Sequence, residues 1–371
     1  MFKVDRKLIK NFDWGLAGLI LTILALGLIN LYSATLAKGG ADHTYFYHQA
    51  VWIGVGLVCM FIAVAISDEF YRENAIIFYI ISVILLVLVD VYGMITSGAQ
   101  RWIRLGPVSL QPSELAKLSL ILVLGYYYET KKSMEILPLR HMIIPSILAL
   151  VPTALIVKQP DLGTALLLLF IFISVLLYEG IPWKTFLGLC VAGLAVLPIM
   201  WRFLKPYQKA RLLTFINPDR DPLGAGYHII QSKIAVGSGG MWGKGFLHGT
   251  QCKLEFLPEH HTDFVFSVLA EEWGFVGSVV VIALLFILIL WGLEVARSAR
   301  NRFGEVVAVG ITAMFFWQII INIGMVIGVM PVVGIPLPFF SYGGSGTLTN
   351  LFAVGILLSI RMRQRSYASS F

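Results

Sequence analysis

The sequence predicts an all-α, polytopic membrane protein with about ten transmembrane helices, built as a single domain over residues 1–371. Hydrophobic residues make up 58% of the chain and charged residues only 13%, which is about half the charged fraction of an average soluble domain. Apolar runs close to the roughly 20 residues that cross a bilayer recur along the whole chain. Lysine and arginine are also unevenly shared between alternate loops, which indicates an orientation in the membrane.

Ten apolar runs define the predicted spans, and polar loops separate them. The runs cover residues 14–34, 49–66, 75–93, 113–129, 142–157, 163–179, 184–203, 263–293, 306–329 and 343–360. Because the first run is long enough to remain in the membrane as a span, we expect no separate cleaved signal peptide.

Basic residues in the short loops and tails predict the orientation of the spans. They gather on the side of the two termini, at Lys3, Arg6, Lys7, Lys10, Arg72, Lys131, Lys132, Arg140, Lys184, Arg297, Arg300, Arg302, Arg361, Arg363 and Arg365. Such an excess is typical of cytoplasmic loops, so both termini are predicted to be cytoplasmic. The net charge of +7 reflects this asymmetry and gives no reason to infer a nucleic-acid partner.

The connection between spans seven and eight, residues 204–262, is predicted to be one large extracytoplasmic loop. It is basic, glycine-rich and moderately apolar, so we expect amphipathic segments that lie at the membrane surface. Loops of this length are usually functional or disordered, and "GYHIIQSKIAVGSGG" is too apolar for disorder.

Polar motifs stand at the outer beginnings of four even-numbered spans. Span four opens with "QPSELAK", span six follows "QPDLG", span eight opens with "HTDF" and span ten opens with "SYGGSG". Glu114, Asp161, Asp263 and a glycine-rich turn are therefore expected at a similar depth. An acid at a helix start faces the positive end of the helix dipole, which favours the ionised form. Asp263 is thus predicted to be a carboxylate suited to accept a proton.

Two of these acids also have a structural interpretation. Glu114 and Lys117 are three residues apart, so they share a helix face, and a buried ion pair is the alternative to catalysis. Asp161 is either a helix cap or a residue of the cavity.

Other polar features are not assigned to the site. Glu271 and Glu272 lie about 12 Å or more along the helix from Asp263, and we expect them to make buried helix contacts. The tract "GSGGMWGKG" superficially suggests a phosphate loop, but Gly245 stands where a Walker motif needs Ser or Thr. The loop histidines lack the spacing of metal ligands, so any metal site stays unassigned.

Cations on the predicted outer face give a further signal. Arg101 lies in "GAQRWIRLG" and Arg211 lies in "KPYQKARL". Lipid headgroups are one explanation for such cations, and an anionic, phosphate-bearing substrate is the other. Ser341, Gly343 and Gly344 of "SYGGSG" could offer backbone N–H groups to a phosphate, and a plain turn before span ten is the alternative.

Several long motifs resemble the SEDS family (shape, elongation, division and sporulation). In chain order they are "GAQRWIRLG…QPSELAK", "QPDLGT", "DPLGAGYHIIQSKIAVGSGG", "GKGFLHGTQCKLEFLPEHHTDFVFSVLAEE" and "VVGIPLPFFSYGGSG". The resemblance covers about residues 14–360. The forms "HIIQSKIAVGSGG" and "LHGTQ" resemble the RodA branch, which serves elongation, more than the FtsW division branch. Phe340 departs from that branch, where a smaller residue is more frequent.

The resemblance implies a peptidoglycan glycosyltransferase that polymerises lipid II into β-1,4 glycan strands at the outer face of the cytoplasmic (inner) membrane. It also implies a class B penicillin-binding transpeptidase and other elongation-machinery proteins as partners. The essential acid of the family falls on Asp263. Other motif positions fall on Arg101, Glu114, Lys117 and Asp161.

These residue types suit the implied chemistry. We expect Asp263 to act as the general base that takes the proton of the attacking sugar hydroxyl. Arg101, Lys117 and Arg211, or a divalent cation such as Mg²⁺ or Mn²⁺, would hold the lipid diphosphate. No cofactor is otherwise expected.

Three other functions stay open at this point. Intramembrane acids and broken helix starts also occur in transporters, so a lipid II flippase is one alternative. Against it, the motifs cluster at one face and the sequence has no visible pair of related halves. An FtsW-like division polymerase and a noncatalytic scaffold for the transpeptidase are the others.

Overall fold

The computed structural model describes residues 11–35, 44–96, 99–105, 108–130, 141–203, 206–217, 225–250 and 261–368. This part of the chain is mostly helical, with a small sheet before the fourth helix. The helices are α1 (Trp14–Ala34), α2 (Thr44–Ala65), α3 (Asp68–Tyr92), α4 (Pro112–Glu129), α5 (Ile143–Lys158), α6 (Leu162–Tyr178), α7 (Trp183–Phe203), α8 (Pro206–Ile216), α9 (Ala225–Ser238), α10 (Val265–Arg297), α11 (Arg302–Val326) and α12 (Gly344–Ala368). The strands are β1 (Met94–Thr96), β2 (Ala99–Leu105) and β3 (Val108–Leu110).

A helix overlaps each of the ten spans predicted from the sequence. Within the described residues, six helices are long and apolar enough to cross a membrane, judged by length and composition: α1, α2, α3, α10, α11 and α12. The helices α5 and α6 are apolar but shorter. The count of ten spans, the cytoplasmic termini and the outer position of residues 204–262 stay predictions.

The helix α11 packs against α4, α6 and α10 and forms the centre of the bundle. It is apolar around most of its circumference, so most of its residues are buried. Glycines allow close approach at the crossings. A Cβ on Gly310 would lie 2.7 Å from Ile121 of α4, and one on Gly292 of α10 would lie 2.2 Å from a Thr312 oxygen. Small residues at crossings are typical of tightly packed membrane helices.

The prediction of an all-α fold is wrong between α3 and α4, where the chain forms an antiparallel sheet in the order β1-β2-β3. In the register, Met94 pairs with Trp102 and Ile103 pairs with Leu110. The dipeptides Ser-Gly and Gly-Pro separate the three strands in the sequence, and both are turn signals. The strands are only three to seven residues long, so a search for long apolar runs misses them.

The described part of the region predicted as a large loop includes the helices α8 and α9. The helix α9 packs on α10, and Ser232 Oγ donates to the Val326 carbonyl at the end of α11 at 2.8 Å. The helix α9 is therefore folded against the bundle, as its apolar composition indicates.

The long helix α10 is interrupted at Gly274, whose φ of 66° and ψ of −162° are not helical. Such a break leaves N–H groups after it and carbonyls before it without helical partners. A segment that we call the glycine loop, residues 239–245, provides some of the missing hydrogen-bond partners. The N–H of Phe275 donates to the Gly240 carbonyl at 2.8 Å.

On the N-terminal side of Gly274, the glycine loop provides N–H donors instead of carbonyl acceptors. The N–H groups of Lys244 and Gly245 bond the carbonyls of Glu271 and Glu272, each at 3.0 Å. The tract "GSGGMWGKG" thus supplies backbone partners to a broken helix.

The side chains of Glu271 and Glu272, 0% and 3% exposed, hold the residues that follow the glycine loop. Glu271 accepts from the N–H of Thr250 at 2.8 Å and from its hydroxyl at 2.9 Å. Glu272 accepts from the Ser33 hydroxyl of α1 and from the Gly249 N–H at 3.3 Å. Both acids make buried contacts, as expected, with Gly249 and Thr250 after the glycine loop and with Ser33 of α1.

Candidate active site

Asp263 lies in the turn formed by residues 261–264, directly before α10. Its side chain is partly buried, and the helix begins two residues later, at Val265. The Oδ2 atom faces Gly334 between α11 and α12, where a Cβ would lie 3.4 Å from it. The carboxylate therefore stands near the positive end of the α10 dipole, in contact with a second segment of the chain.

The turn before α12 holds the two residues that precede Asp263. The Ser341 hydroxyl donates to the Thr262 carbonyl at 2.6 Å, and the Tyr342 N–H donates to the His261 carbonyl at 2.9 Å. The "HTDF" and "SYGGSG" motifs, predicted to converge, are thus directly joined.

Two buried asparagines hold the same segment from other helices. Asn322 of α11 donates its Nδ2 to the Asp263 carbonyl at 3.0 Å and to the Ile335 carbonyl at 2.8 Å. Asn30 of α1 donates its Nδ2 to the Val265 carbonyl at 3.0 Å. The backbone around Asp263 is fixed by side chains of three separate elements.

Two further residues of "SYGGSG", Gly343 and Ser345, also form hydrogen bonds within the protein. The Gly343 N–H donates to Gln49 Oε1 of α2 at 3.1 Å. Ser345 accepts from the Gln111 N–H at 3.2 Å and donates to the Ser109 carbonyl at 3.0 Å. These contacts favour the interpretation as a structural turn, and a phosphate role for Ser341, Gly343 and Gly344 stays a prediction.

Arg101 of β2 and Asp161 at the start of α6 come together as an ion pair, with 3.6 Å between Nε and Oδ2. Arg101 also donates to the Pro160 carbonyl at 2.9 Å. Asp161 caps α6 by accepting from the N–H and the hydroxyl of Thr164, at 3.2 and 2.9 Å. The helix-cap interpretation of Asp161 therefore agrees with its contacts, and a role in the cavity stays a prediction.

The start of α6 contacts the segment that faces Asp263. A Cβ on Gly163 would lie 2.5 Å from the Val333 carbonyl oxygen, and Gly334 is the neighbour of Asp263 described above. The 333–334 segment thus lies between the Asp161 cap and the Asp263 carboxylate.

Glu114 and Lys117 form a buried ion pair of 2.8 Å, with 5% and 1% of each residue exposed. The Oε2 atom of Glu114 has no hydrogen-bond partner among the described residues. It lies toward the start of α12, where a Cβ on Gly346 would be 3.9 Å from it. Lys117 is therefore engaged by Glu114, which supports the structural interpretation of the pair.

An aromatic cluster flanks the Asp263 turn. The ring of Tyr45 lies 4.7 Å from that of His261 and 5.1 Å from that of Tyr342. Burial raises the pKa of the Tyr342 phenol above its ordinary value, and the neighbouring Tyr45 adds to the rise. Tyr342 is thus a phenol at neutral pH and is not suited to act as a base.

Other sequence candidates lie outside these contacts or outside the described residues. Arg211 is exposed on α8, and its role stays a prediction. Of the loop histidines, His260 lies outside the described part of the chain. The residues that are described contain no group of three or more His, Cys, Asp or Glu placed to hold a metal ion.

A cleft of about 530 Å³ lies elsewhere on the molecule, lined by Arg72, Glu73, Tyr126, Glu129 and Thr130. Its α4 residues stand at the end of that helix opposite to the Glu114 end. It is therefore not part of the candidate site, although its volume is suited to a small ligand.

Sequence reasoning missed the amides Asn30, Gln49 and Asn322. Asn30 and Asn322 interrupt apolar helices, as Asn322 does in "WQIIINIG", and Gln49 lies near the start of α2, directly after His48. Buried polar residues in membrane helices usually face a partner or a functional cavity, so the signal was present. It carried no information about which segment each amide would bind.

A close relative among known proteins is the peptidoglycan glycosyltransferase MrdB of Escherichia coli strain K12. It is 43% identical over 355 residues, which cover 95% of this chain and 94% of MrdB.

Two solved structures share the fold over nearly their whole length. One is a chain of a peptidoglycan synthase complex that coordinates polymerization and crosslinking, with a TM-score of 0.82, 35% identity and coverage of 95% of this chain and 98% of that chain. The other is the rod shape determining protein RodA of Thermus thermophilus, with a TM-score of 0.71, 33% identity and coverage of 94% and 96%.

The sequence profile of the FtsW/RodA/SpoVE family, described as cell cycle proteins, matches residues 14–366. This match covers almost the entire chain, and the helices, the joined motifs and the relatives agree with it. The chain is a multi-pass membrane protein and belongs to the FtsW/RodA/SpoVE family of cell cycle proteins.

Proposed function

We propose that this chain is a peptidoglycan glycosyltransferase that polymerises lipid II into β-1,4 glycan strands during cell elongation. The carrying observation is the 43% identity to the glycosyltransferase MrdB across 95% of the chain. The likeness to a rod shape determining protein favours elongation over division.

The proposed topology has ten spans with both termini in the cytoplasm, so the Asp263 turn faces the outer side of the membrane. The overlap of a helix with each predicted span supports this topology. So does the contact between the starts of α10 and α12, because two even-numbered spans would begin at the same face.

In the proposed reaction, Asp263 takes the proton of the attacking hydroxyl on one lipid II sugar. The oxygen forms a bond to the anomeric carbon of the growing chain, and the bond from that carbon to the lipid diphosphate breaks with inversion. The diphosphate leaves as a stabilised anion, so one base suffices where glycosidases need two carboxyl groups. Assistance by a general base is typically worth about 10²–10⁴-fold in rate.

Arg101 is the cation best placed to bind the diphosphate. Its side chain is 25% exposed, and it pairs with Asp161. Gly163, two residues after Asp161, contacts the segment that faces Asp263. Lys117 would act indirectly, through its pair with Glu114, and Arg211 would contribute from α8. The described residues form no closed metal site, so a divalent cation, if it takes part, would be bound largely by the substrate phosphates.

A class B penicillin-binding transpeptidase and other elongation proteins are the proposed partners. The support is the structural likeness to a chain from a complex that coordinates polymerization and crosslinking. A polymerase that releases strands at the outer membrane face needs a neighbouring crosslinking enzyme to join them to the wall.

The break in α10 is a structural feature that favours a flippase, because transporters use discontinuous helices to line a substrate path. In transporters the freed backbone groups face a cavity or an ion. Here the glycine loop bonds them on both sides of Gly274, through Gly240, Lys244 and Gly245. The interruption is thus filled by the protein and supports the polymerase over the transporter.

The test is polymerisation of purified lipid II by the purified protein, with and without the transpeptidase and with and without a chelator. Asp263→Ala and Asp263→Asn should fold and insert but polymerise lipid II at a residual rate about 10²–10⁴-fold below that of the wild type, too slow to form long glycan on a gel. Asp90→Asn is a matched control, because Asp90 pairs with Lys158 at 2.9 Å near the end of α3. Polymer from Asp263→Ala at the wild-type rate would refute the general base, and transbilayer movement of lipid II without polymer would favour the flippase.

A further inference from the structure

The carbonyl groups around Asp263 are bonded by groups from outside the segment. Tyr342 and Ser341 bond the carbonyls of His261 and Thr262, and the two asparagines bond those of Asp263 and Val265. An ordinary turn leaves such carbonyls to water.

We propose that Asn322 and Asn30 are positioning residues, which set the place of the Asp263 carboxylate through its own backbone. This inference rests on the proposed role of Asp263 as general base.

The hydrogen-bond chemistry fixes the orientation of both amides. A backbone carbonyl only accepts, so the NH₂ group of each asparagine must point toward the carbonyl that it contacts. The Oδ1 atoms of Asn30 and Asn322 are buried and have no partner among the described residues. Leaving a buried oxygen unpaired is unfavourable. The hydrogen bonds that each NH₂ group donates to backbone carbonyls are therefore the reason for a buried asparagine at each position.

Asn322 also joins the two segments that meet at the carboxylate. Its NH₂ group bridges Asp263 and Ile335, and Gly334, the residue before Ile335, faces Oδ2 of Asp263. The residue is 0% exposed on the central helix α11, so it is held in place by packing. A displacement of either segment would move the base relative to the hydroxyl that it deprotonates.

Asn30 holds the opposite end of the turn. It is 1% exposed on α1 and bonds the carbonyl of Val265, the first residue of α10. Together the asparagines restrain Asp263 at its own carbonyl and two residues later, from different helices.

The test compares Asn322→Leu and Asn30→Leu with Gln318→Leu. Gln318 lies one turn before Asn322 on α11, is 1% exposed, and its Oε1 also lacks a partner among the described residues. All three variants remove a buried amide of similar size. Both asparagine variants should lower kcat for lipid II polymerisation by about 10–100-fold with KM nearly unchanged, since a misplacement of about 1 Å is worth about 10²-fold.

A double-variant cycle separates positioning from general loss of stability. Added to Asp263→Ala, Asn322→Leu should change the residual rate by less than about 2-fold, because two residues that act as one unit are not additive. Rates are normalised to the folded fraction by size-exclusion chromatography. If Asn322→Leu is not recovered folded, Asn30→Leu carries the same cycle.

The outcomes distinguish this inference from the proposed function. Additive losses in the cycle, or asparagine variants as active as Gln318→Leu, would overturn the positioning role while Asp263→Ala still polymerises lipid II only at its residual rate. Full activity of Asp263→Ala would overturn both the general base and the inference that depends on it.

Discussion

Gly239 lies so close to Ala270 that a Cβ on the glycine would stand 2.0 Å from the alanine carbonyl oxygen. Gly243 has the same relationship to Glu272, at 2.1 Å, and its φ of +79° lies in the left-handed region. The glycine loop can therefore reach the broken backbone of α10 only because its side chains are missing at these positions. The packing of the loop on α10 thus requires glycine at positions 239 and 243.

The variant Gly243→Ala should destabilise the protein by more than 2 kcal/mol. A left-handed alanine costs about 1–2 kcal/mol, and overpacking against the backbone adds about 1–3 kcal/mol. Gly240→Ala is the matched control, since its φ is +56° but nothing lies within 4 Å of a Cβ there. The apparent unfolding temperature in detergent should fall further for Gly243→Ala, and equal shifts in the two variants would contradict the close approach.

The buried acid Glu271 should be needed for the same arrangement. It accepts from Lys244 Nζ at 2.7 Å as well as from Thr250, and it is 0% exposed. Glu271→Gln removes the charge that both partners face, and hydrogen bonds to a charged group are worth about 1.5–3 kcal/mol. We expect a loss of about 2 kcal/mol in chemical or thermal unfolding.

Glu294→Gln on the same helix is the control for Glu271→Gln. Glu294 pairs with Arg361 at 3.7 Å but its side chain is 56% exposed, and exposed pairs contribute about 0–1 kcal/mol. If both variants were equally stable, the bonds at Glu271 would have no role in holding the loop.

The helices were predictable because the apolar runs are long and close to uniform. The predicted span 14–34 coincides with α1, and span 113–129 differs from α4 by one residue. The sheet was not predictable by the same criterion, because its strands are short and half polar. Its turn dipeptides were visible in the sequence.

The site was predictable as a set of motifs but not as a set of contacts. The sequence placed "HTDF" and "SYGGSG" at one depth, and Ser341 and Thr262 do meet. It gave no reason to pair Arg101 with Asp161, because the two lie in different motifs and long-range pairing depends on how α6 packs. The spacing of Glu114 and Lys117 was the exception, since a local helical pair can be read from the sequence.

Two substitutions of Asp161 should separate its role as the cap of α6 from its role as the ion-pair partner of Arg101. Asparagine caps a helix about as well as aspartate, so Asp161→Asn should keep the cap on α6 and remove only the charge that faces Arg101. Asp161→Ala should lose the cap as well, at about 1 kcal/mol. We therefore expect Asp161→Ala to be less stable than Asp161→Asn in unfolding experiments. Both variants should polymerise lipid II more slowly than the wild type.

Arg101→Ala should raise KM for lipid II by about 10–100-fold, the equivalent of one or two charge-assisted hydrogen bonds to a phosphate. Arg101→Lys should recover little of this loss, because lysine lacks the planar guanidinium. Normal KM values in both variants would place the diphosphate elsewhere.

Variants of the buried pair of Glu114 and Lys117 test whether the pair has a structural role or acts on the substrate. Removing one partner leaves an unpaired buried charge, which typically costs about 3–5 kcal/mol. Glu114→Gln and Lys117→Met should each be strongly destabilised, and the double variant should regain most of the loss, because exchange of a buried pair for neutral groups is often near neutral.

If the double variant also polymerises lipid II normally, the pair is structural. If it folds but remains inactive, the pair acts on the substrate, through Lys117 or through the unpartnered Oε2 of Glu114. A double variant less stable than either single one would show that the two charges do not compensate each other.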